Sequence, residues 1–350
     1  MFRTLLVTAA TALILGFATF FPSPSQMLRA QEDELTSTIQ VGSSRIDVHI
    51  ESGEFAVSHA ELLDWVHHAA NSVTTYYGRF PVPVLKLFIS SSHGRGVGGG
   101  KTFGFEDGGR IQIHVGKQTI VAGLAKDWML THEMVHLAFP SVADKHHWLE
   151  EGLATYVEPI ARVRAHYFDP AEMWFEVVRD LPQGLPASGD EGLDHTHTWG
   201  RTYWGGALYC MLADIQIHKL TQNKKGLDDA LRGILNAGGD IRYNWDLEKA
   251  LDVGDKATGV AVLRPLYDKM KNQPYPVDLD AMWKELGVAR TDDTVHFIDS
   301  APLAATLRAI TNGAPSGPAI NTHALNTPPI ILGRNSRPQG SLLPPPKLEE

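Results

Sequence analysis

The stretch Thr131-His132-Glu133-Met134-Val135-His136 constrains this chain more than any other, because its chemistry works only if it is helical. Four residues along a helix is a rotation of about 400°, so His132 and His136 stand about 40° apart on one face and both imidazoles can reach one ion. Zinc suits such a pair. It accepts neutral imidazole nitrogen at about 2.0 to 2.1 Å and takes further protein and water ligands. Glu133 is offset by one residue, so its carboxylate flanks the ion and can reach a water there, which is the place of a general base. A helix is therefore expected here, and the segments around it must supply a third ligand.

That third ligand is sought just downstream. The extended pattern in which a glycine and a third histidine follow the motif fails, since Phe139 and Val142 occupy those positions. After Pro140-Ser141 a second helical stretch begins, His147-Trp148-Leu149-Glu150-Glu151-Gly152-Leu153-Ala154-Thr155-Tyr156. A carboxylate from it can turn back onto the metal. Spacing alone leaves Glu150 and Glu151 in competition, with His146 and His147 as further candidates.

These two stretches together resemble the gluzincin metallopeptidases, whose second motif reads Trp-Leu-x-Glu-Gly-x-Ala. The resemblance implies that Glu151, before the glycine, is the third zinc ligand and that Glu150 is its neighbour. Arg201-Thr202-Tyr203-Trp204-Gly205-Gly206-Ala207-Leu208 is similar to the family's Tyr-x-x-Gly-Ala helix start, which implies that Tyr203 stabilises the oxyanion. Leu227-Asp228-Asp229-Ala230-Leu231 and Pro274-Tyr275-Pro276-Val277-Asp278-Leu279 look like glycyl aminopeptidase relatives, so the resemblance spans roughly residues 80–290. It implies one zinc per chain, a zincin-like fold and a peptide or protein substrate. Where the large aminopeptidases carry Gly-x-Met-Glu-Asn, this chain has Gly98-Gly99-Gly100-Lys101-Thr102-Phe103-Gly104-Phe105, about where an edge strand would meet an extended peptide. Gly100-Lys101-Thr102 is not the end of a phosphate loop, because Arg95 stands where the first glycine is needed.

The order of elements predicts an α+β fold, a small N-terminal sheet leading into a mainly helical body. Strands are expected over 38–51, 84–89 and 110–115, with a helix over 59–77 between the first two. Helices follow at 124–139, 147–158, 170–180, 202–219 and 227–236, with weaker ones at 246–251, 260–271, 278–287 and 301–311. The peptidase-like domain is expected over 31–312, its sheet part ending near 118.

Both ends differ from this body. Arg3, an uncharged run from Leu5 to Phe21, then Pro22 and Pro24 read as an export signal over 1–30, a retained membrane anchor being the alternative. Residues 313–350 hold eight prolines and read as an extended or disordered tail. The net charge is −9 over 350 residues, and both ends are net positive, so the body is more acidic still. Such a body repels phosphate, which argues against a nucleic-acid partner. Cys210 is the single cysteine, so no intrachain disulfide exists, and its apolar surroundings predict a buried thiol. His195 and His197 are expected in a loop before Tyr203. The function predicted is an exported zinc metallopeptidase; the alternatives are a peptide-binding protein on the same fold, or a hydrolase of a non-peptide amide or epoxide.

Overall fold

A computed structural model describes residues 35–51 and 53–313. The expected export segment, 1–30, and the tail beyond Gly313 lie outside the described residues. The architecture is α+β, with the sheet first and the helices after it.

Five strands form the sheet: β1 (Leu35–Val41), β2 (Ser44–Ile50), β3 (Val84–Ser92), β4 (Val97–Phe105) and β5 (Gly108–Gly116). Their order is β1-β2-β3-β5-β4. β2, β3 and β5 run parallel, while β1 and β4 close the two edges antiparallel. The single strand expected over 38–51 is instead a hairpin. Gly42 takes φ 59°, a left-handed conformation that glycine adopts without strain, and the chain reverses there. Alternation puts Ile46, Val48, Leu85, Leu87, Ile89, Ile111, Ile113 and Val115 on one fully buried face, and that face is covered by helices.

Helix α1 (His59–Tyr77) has the bounds the sequence predicts, for local reasons. Ser58 and Glu61 form a reciprocal capping box at its start, and Gly78 ends it in a left-handed turn. The helix expected over 124–139 breaks in two, α2 (Val121–Ala125) and α3 (Met129–His136). Asp127 causes the break. Its carboxylate accepts the main-chain N–H groups of Met129 and Leu130 at 3.0 and 3.1 Å, and the Trp65 indole N–H of α1 at 3.0 Å. A new helix therefore starts here, pinned to α1.

The rest of the body comprises α4 (His147–Arg164), α5 (Pro170–Asp180), α6 (Gly206–Thr221), α7 (Leu227–Asn236), α8 (Leu247–Thr258), α9 (Leu263–Met270), α10 (Leu279–Leu286) and α11 (Ala304–Asn312). Two short strands missed in the sequence, β6 (Val288–Arg290) and β7 (Val295–Phe297), pair with each other. Among the described residues no helix is long and apolar enough to cross a membrane. Cys210 is buried within α6, and burial raises its thiol well above the ordinary range.

Candidate metal centre

Helix α3 lies under the sheet beside β4 and presents His132, Glu133 and His136 on neighbouring parts of its surface. His132 is 5% exposed and Glu133 7%. The two imidazoles meet edge to face with ring centres 4.9 Å apart. After His136 the chain turns at Pro140-Ser141, held to the loop before α8 by Ser141 N–H donating to the Tyr243 carbonyl at 3.0 Å. It then returns as α4, bringing Glu151 back to the histidines.

Glu151 Oε2 lies 3.1 Å from His132 Nε2 and 3.7 Å from His136 Nε2, and potential ligand atoms of the three residues all lie within 4.8 Å of one another. Glu150 points elsewhere. Its oxygens take the Val142 N–H and the His147 ring, each at 3.3 Å. His147 Nε2 stands 3.4 Å from Glu151 Oε1, so it flanks that carboxylate. His146 faces the opposite way, buried against Asp194, which also accepts from Trp148 and Tyr267. Of the candidates that spacing left open, Glu151 is the one whose carboxylate lies beside both histidines.

The donor set fits zinc. Ligands in a tetrahedron around zinc stand about 3.3 Å apart, and the 3.1 and 3.7 Å separations bracket that value. Burial alone would raise the Glu151 carboxyl, but the charges of His136, His132 and His147 and the His132 hydrogen bond outweigh it and hold the group at about 2. Burial likewise opposes a proton on His132, yet its hydrogen bond to Glu151 and the charges of Glu151, Glu133 and Glu158 carry its pKa above the ordinary imidazole value. Carboxylate and imidazole thus stabilise each other's charged forms.

Tyr203 reaches the same place from another element. It sits in a π-helical turn, Arg201–Gly205, that leads into α6, and its ring lies 6.4 Å from that of His132, nearly parallel. Such wide turns cost helix regularity and recur at functional sites. Two contacts fix it. Gly152 of α4 and Gly206 of α6 approach so closely that a Cβ on either would overlap the other's backbone; this crossing seats Glu151 and Tyr203 side by side. Arg201, itself buried, donates to the Gly184 carbonyl and pairs with Asp190 at 2.7 Å. Burial and then the charges of Glu151 and Glu133 push the Tyr203 hydroxyl well above the usual phenol range, so it stays protonated and can donate.

Beyond these, Trp128 stands edge-on to His132 and Trp199 stacks near Tyr203, at 5.4 and 5.7 Å between ring centres. Both indoles are more than a third exposed. His195 bonds Asn272 at 3.0 Å and, like His197, lies in the loop before the π turn as expected. The glycine-rich segment forms β4, the edge strand. Thr102 of that strand contacts Glu133. Sequence reading missed Thr102, although the alternation Gly100, Thr102, Gly104 was there to mark one strand face.

No protein-family model matches the chain, and no curated protein does. Among solved structures, an aminopeptidase N family protein from Idiomarina loihiensis superposes with a TM-score of 0.58 at 10% identity, covering 77% of this chain and 53% of its own. The chain shares that fold. An M1 zinc metallopeptidase from Deinococcus radiodurans gives 0.44 at 16% identity, over 70% of this chain and 54% of its own. A variant of it bound to a Tyr-Ser-Ala substrate gives 0.45 at 14% identity, over 70% and 53%. The chain spans about half the length of these structures. The gluzincin resemblance noted in the sequence is thus met at the level of fold.

Proposed function

We propose that this chain is a zinc-dependent peptide hydrolase, with His132, His136 and Glu151 as metal ligands, Glu133 as general base and Tyr203 as oxyanion donor. The observation that carries the reading is the convergence of three ligand atoms within 4.8 Å beside a glutamate and a protonated phenol that do not belong to the ligand set. The fold shared with an aminopeptidase N family protein supports it.

Zinc held by these residues supplies Lewis acidity toward a peptide carbonyl and acidifies water. Glu133 accepts a proton from the attacking water as its oxygen bonds to the carbonyl carbon. Tyr203 donates a hydrogen bond to the carbonyl oxygen as negative charge gathers there. When the C–N bond breaks, Glu133 passes its proton to the departing nitrogen, so the residue ends as it began. The substrate is a peptide or protein and not nucleic acid, which the acidic body disfavours. Removal of the N-terminal residue is the finer reading of the specificity, and export is proposed from the Arg3 to Pro24 pattern.

The test is zinc analysis of the purified protein together with mass spectrometry of products from a peptide mixture, for wild type and Glu133→Gln. One zinc per chain, cleavage by wild type and none by E133Q are expected. Peptide binding that is equal in both proteins without cleavage in either would make it a receptor. Products shortened from the N-terminus distinguish an aminopeptidase from an enzyme cutting within the chain.

A further inference from the structure

The edge strand β4 packs against α3 at Glu133. Alternate residues of this strand face the helices. A Cβ at Gly100 would overlap the Glu133 carboxylate, and one at Gly104 would overlap the Ile241 carbonyl. Between them, Thr102 turns its hydroxyl onto Glu133, with Oγ1 2.6 Å from Oε2 and 3.0 Å from the main-chain oxygen of the same residue. The Gly100 N–H donates to Met129 Sδ at 3.3 Å, tying the strand to the first turn of α3.

We propose that Thr102 is a positioning residue for the reaction: its hydroxyl holds the Glu133 carboxylate in one orientation, and Gly100 leaves the space that orientation needs. The proposal rests on the peptidase reading. A glutamate side chain has three rotatable bonds and samples many rotamers unless something stops it. Here a charge-assisted hydrogen bond, at a length expected for O–H donating to a carboxylate, stops it. The Glu133 main-chain carbonyl lies close to the same hydroxyl. The hydroxyl has one proton, so the 2.6 Å contact to the carboxylate is the main bond and the 3.0 Å contact to the main-chain oxygen its longer, bifurcated branch. Displacing a catalytic group by about 1 Å costs about 10²-fold in rate, so this contact sets turnover and not affinity for substrate.

The experiment compares wild type, T102V, T102S and E133Q on one cleavable peptide, with zinc content and thermal midpoint measured for each. Valine keeps the shape and loses the hydroxyl; serine keeps the hydroxyl and loses a methyl. T102V is expected to lower kcat about 10- to 100-fold with KM within about threefold of wild type and zinc stoichiometric, while T102S stays within about fivefold of wild type. A T102V whose kcat lies within about twofold of wild type overturns the proposal, and so does a T102S impaired as deeply as T102V, since the methyl would then matter and the hydroxyl would not. Should T102V fail to fold, T102A against T102S makes the same comparison: equal kcat in the two overturns the proposal, and a fall only in T102A supports it. A wild type no more active than E133Q overturns the peptidase reading and this proposal with it, an outcome distinct from an active enzyme indifferent to Thr102.

Discussion

Helix α4 buries charge at both ends, and the two ends treat it differently. Toward the C-terminus, Arg162 pairs with Glu158 and Arg164 with Asp228 of α7, each at 2.8 Å. Arg164 also donates to the Ile310 carbonyl at 2.7 Å, and its guanidinium lies over Tyr76. Arginine is always protonated, so each carboxylate there meets a permanent positive partner from the same chain. Toward the N-terminus, Glu151 faces His132, His136 and His147. An imidazole has a lone pair to give as well as a proton to carry, so this end can exchange protons for a metal ion. Buried charge is common to both; the kind of partner separates a fastening from a candidate ligand set.

The strongest test of that contrast is His132→Ala. It is expected to remove zinc and abolish turnover, exceeding the roughly 10- to 100-fold that loss of a ligand's own hydrogen-bond partner costs, while circular dichroism stays as in wild type. Stoichiometric zinc at the same site in H132A would mean that the histidine end of α4 is a fastening as well. At the other end, Arg164→Ala leaves Asp228 buried without one of its partners, and such losses cost about 3–5 kcal/mol. Denaturant unfolding should report that loss, whereas kcat per folded molecule should be unchanged; a fall in kcat without a fall in stability would place Arg164 in the chemistry.

Tyr203→Phe sharpens the N-terminal side. Removing an oxyanion donor typically lowers turnover about 10²- to 10³-fold, some 2.7 to 4 kcal/mol, and zinc content and KM should stay close to wild type. Normal kinetics in Y203F would reduce the tyrosine to a packing residue. The smallest effect is expected from Glu150→Ala. Its carboxylate only steadies Val142 N–H and His147, so zinc should remain stoichiometric. If E150A lost the metal while Glu151→Ala kept it, the ligand would move by one position along α4.

Legibility in the sequence followed locality only in part. Helix α1 could be bounded because Ser58, Glu61 and Gly78 act within a few residues of one another. Helix α5 also starts on a local cap, where Asp169 accepts from the Ala171 and Glu172 N–H groups. The split of α2 from α3 was missed although its cap is local, Asp127 accepting from Met129 and Leu130; only the Trp65 contact that pins it is distant, 62 residues earlier. The hairpin of β1 and β2 was missed for a smaller reason: Gly42-Ser43 is a short turn inside a run that otherwise reads as continuous strand. For the site, Glu133 and the two histidines stand out by spacing alone, and only the resemblance favoured Glu151 over Glu150.

The helical pairing of His132 with His136, the glutamate offset by one, and the order of sheet before helices are all written in the chain's local pattern. Each follows from backbone periodicity, which is a property of neighbours in the chain. Which distant groups meet that pair depends on packing. Glu151 and Tyr203 converge because two glycines let α4 and α6 touch at Gly152 and Gly206, and Thr102 reaches Glu133 because β4 is the edge strand above α3. Close approach of backbones separated by dozens of residues is set by packing, and no periodicity in the sequence encodes it.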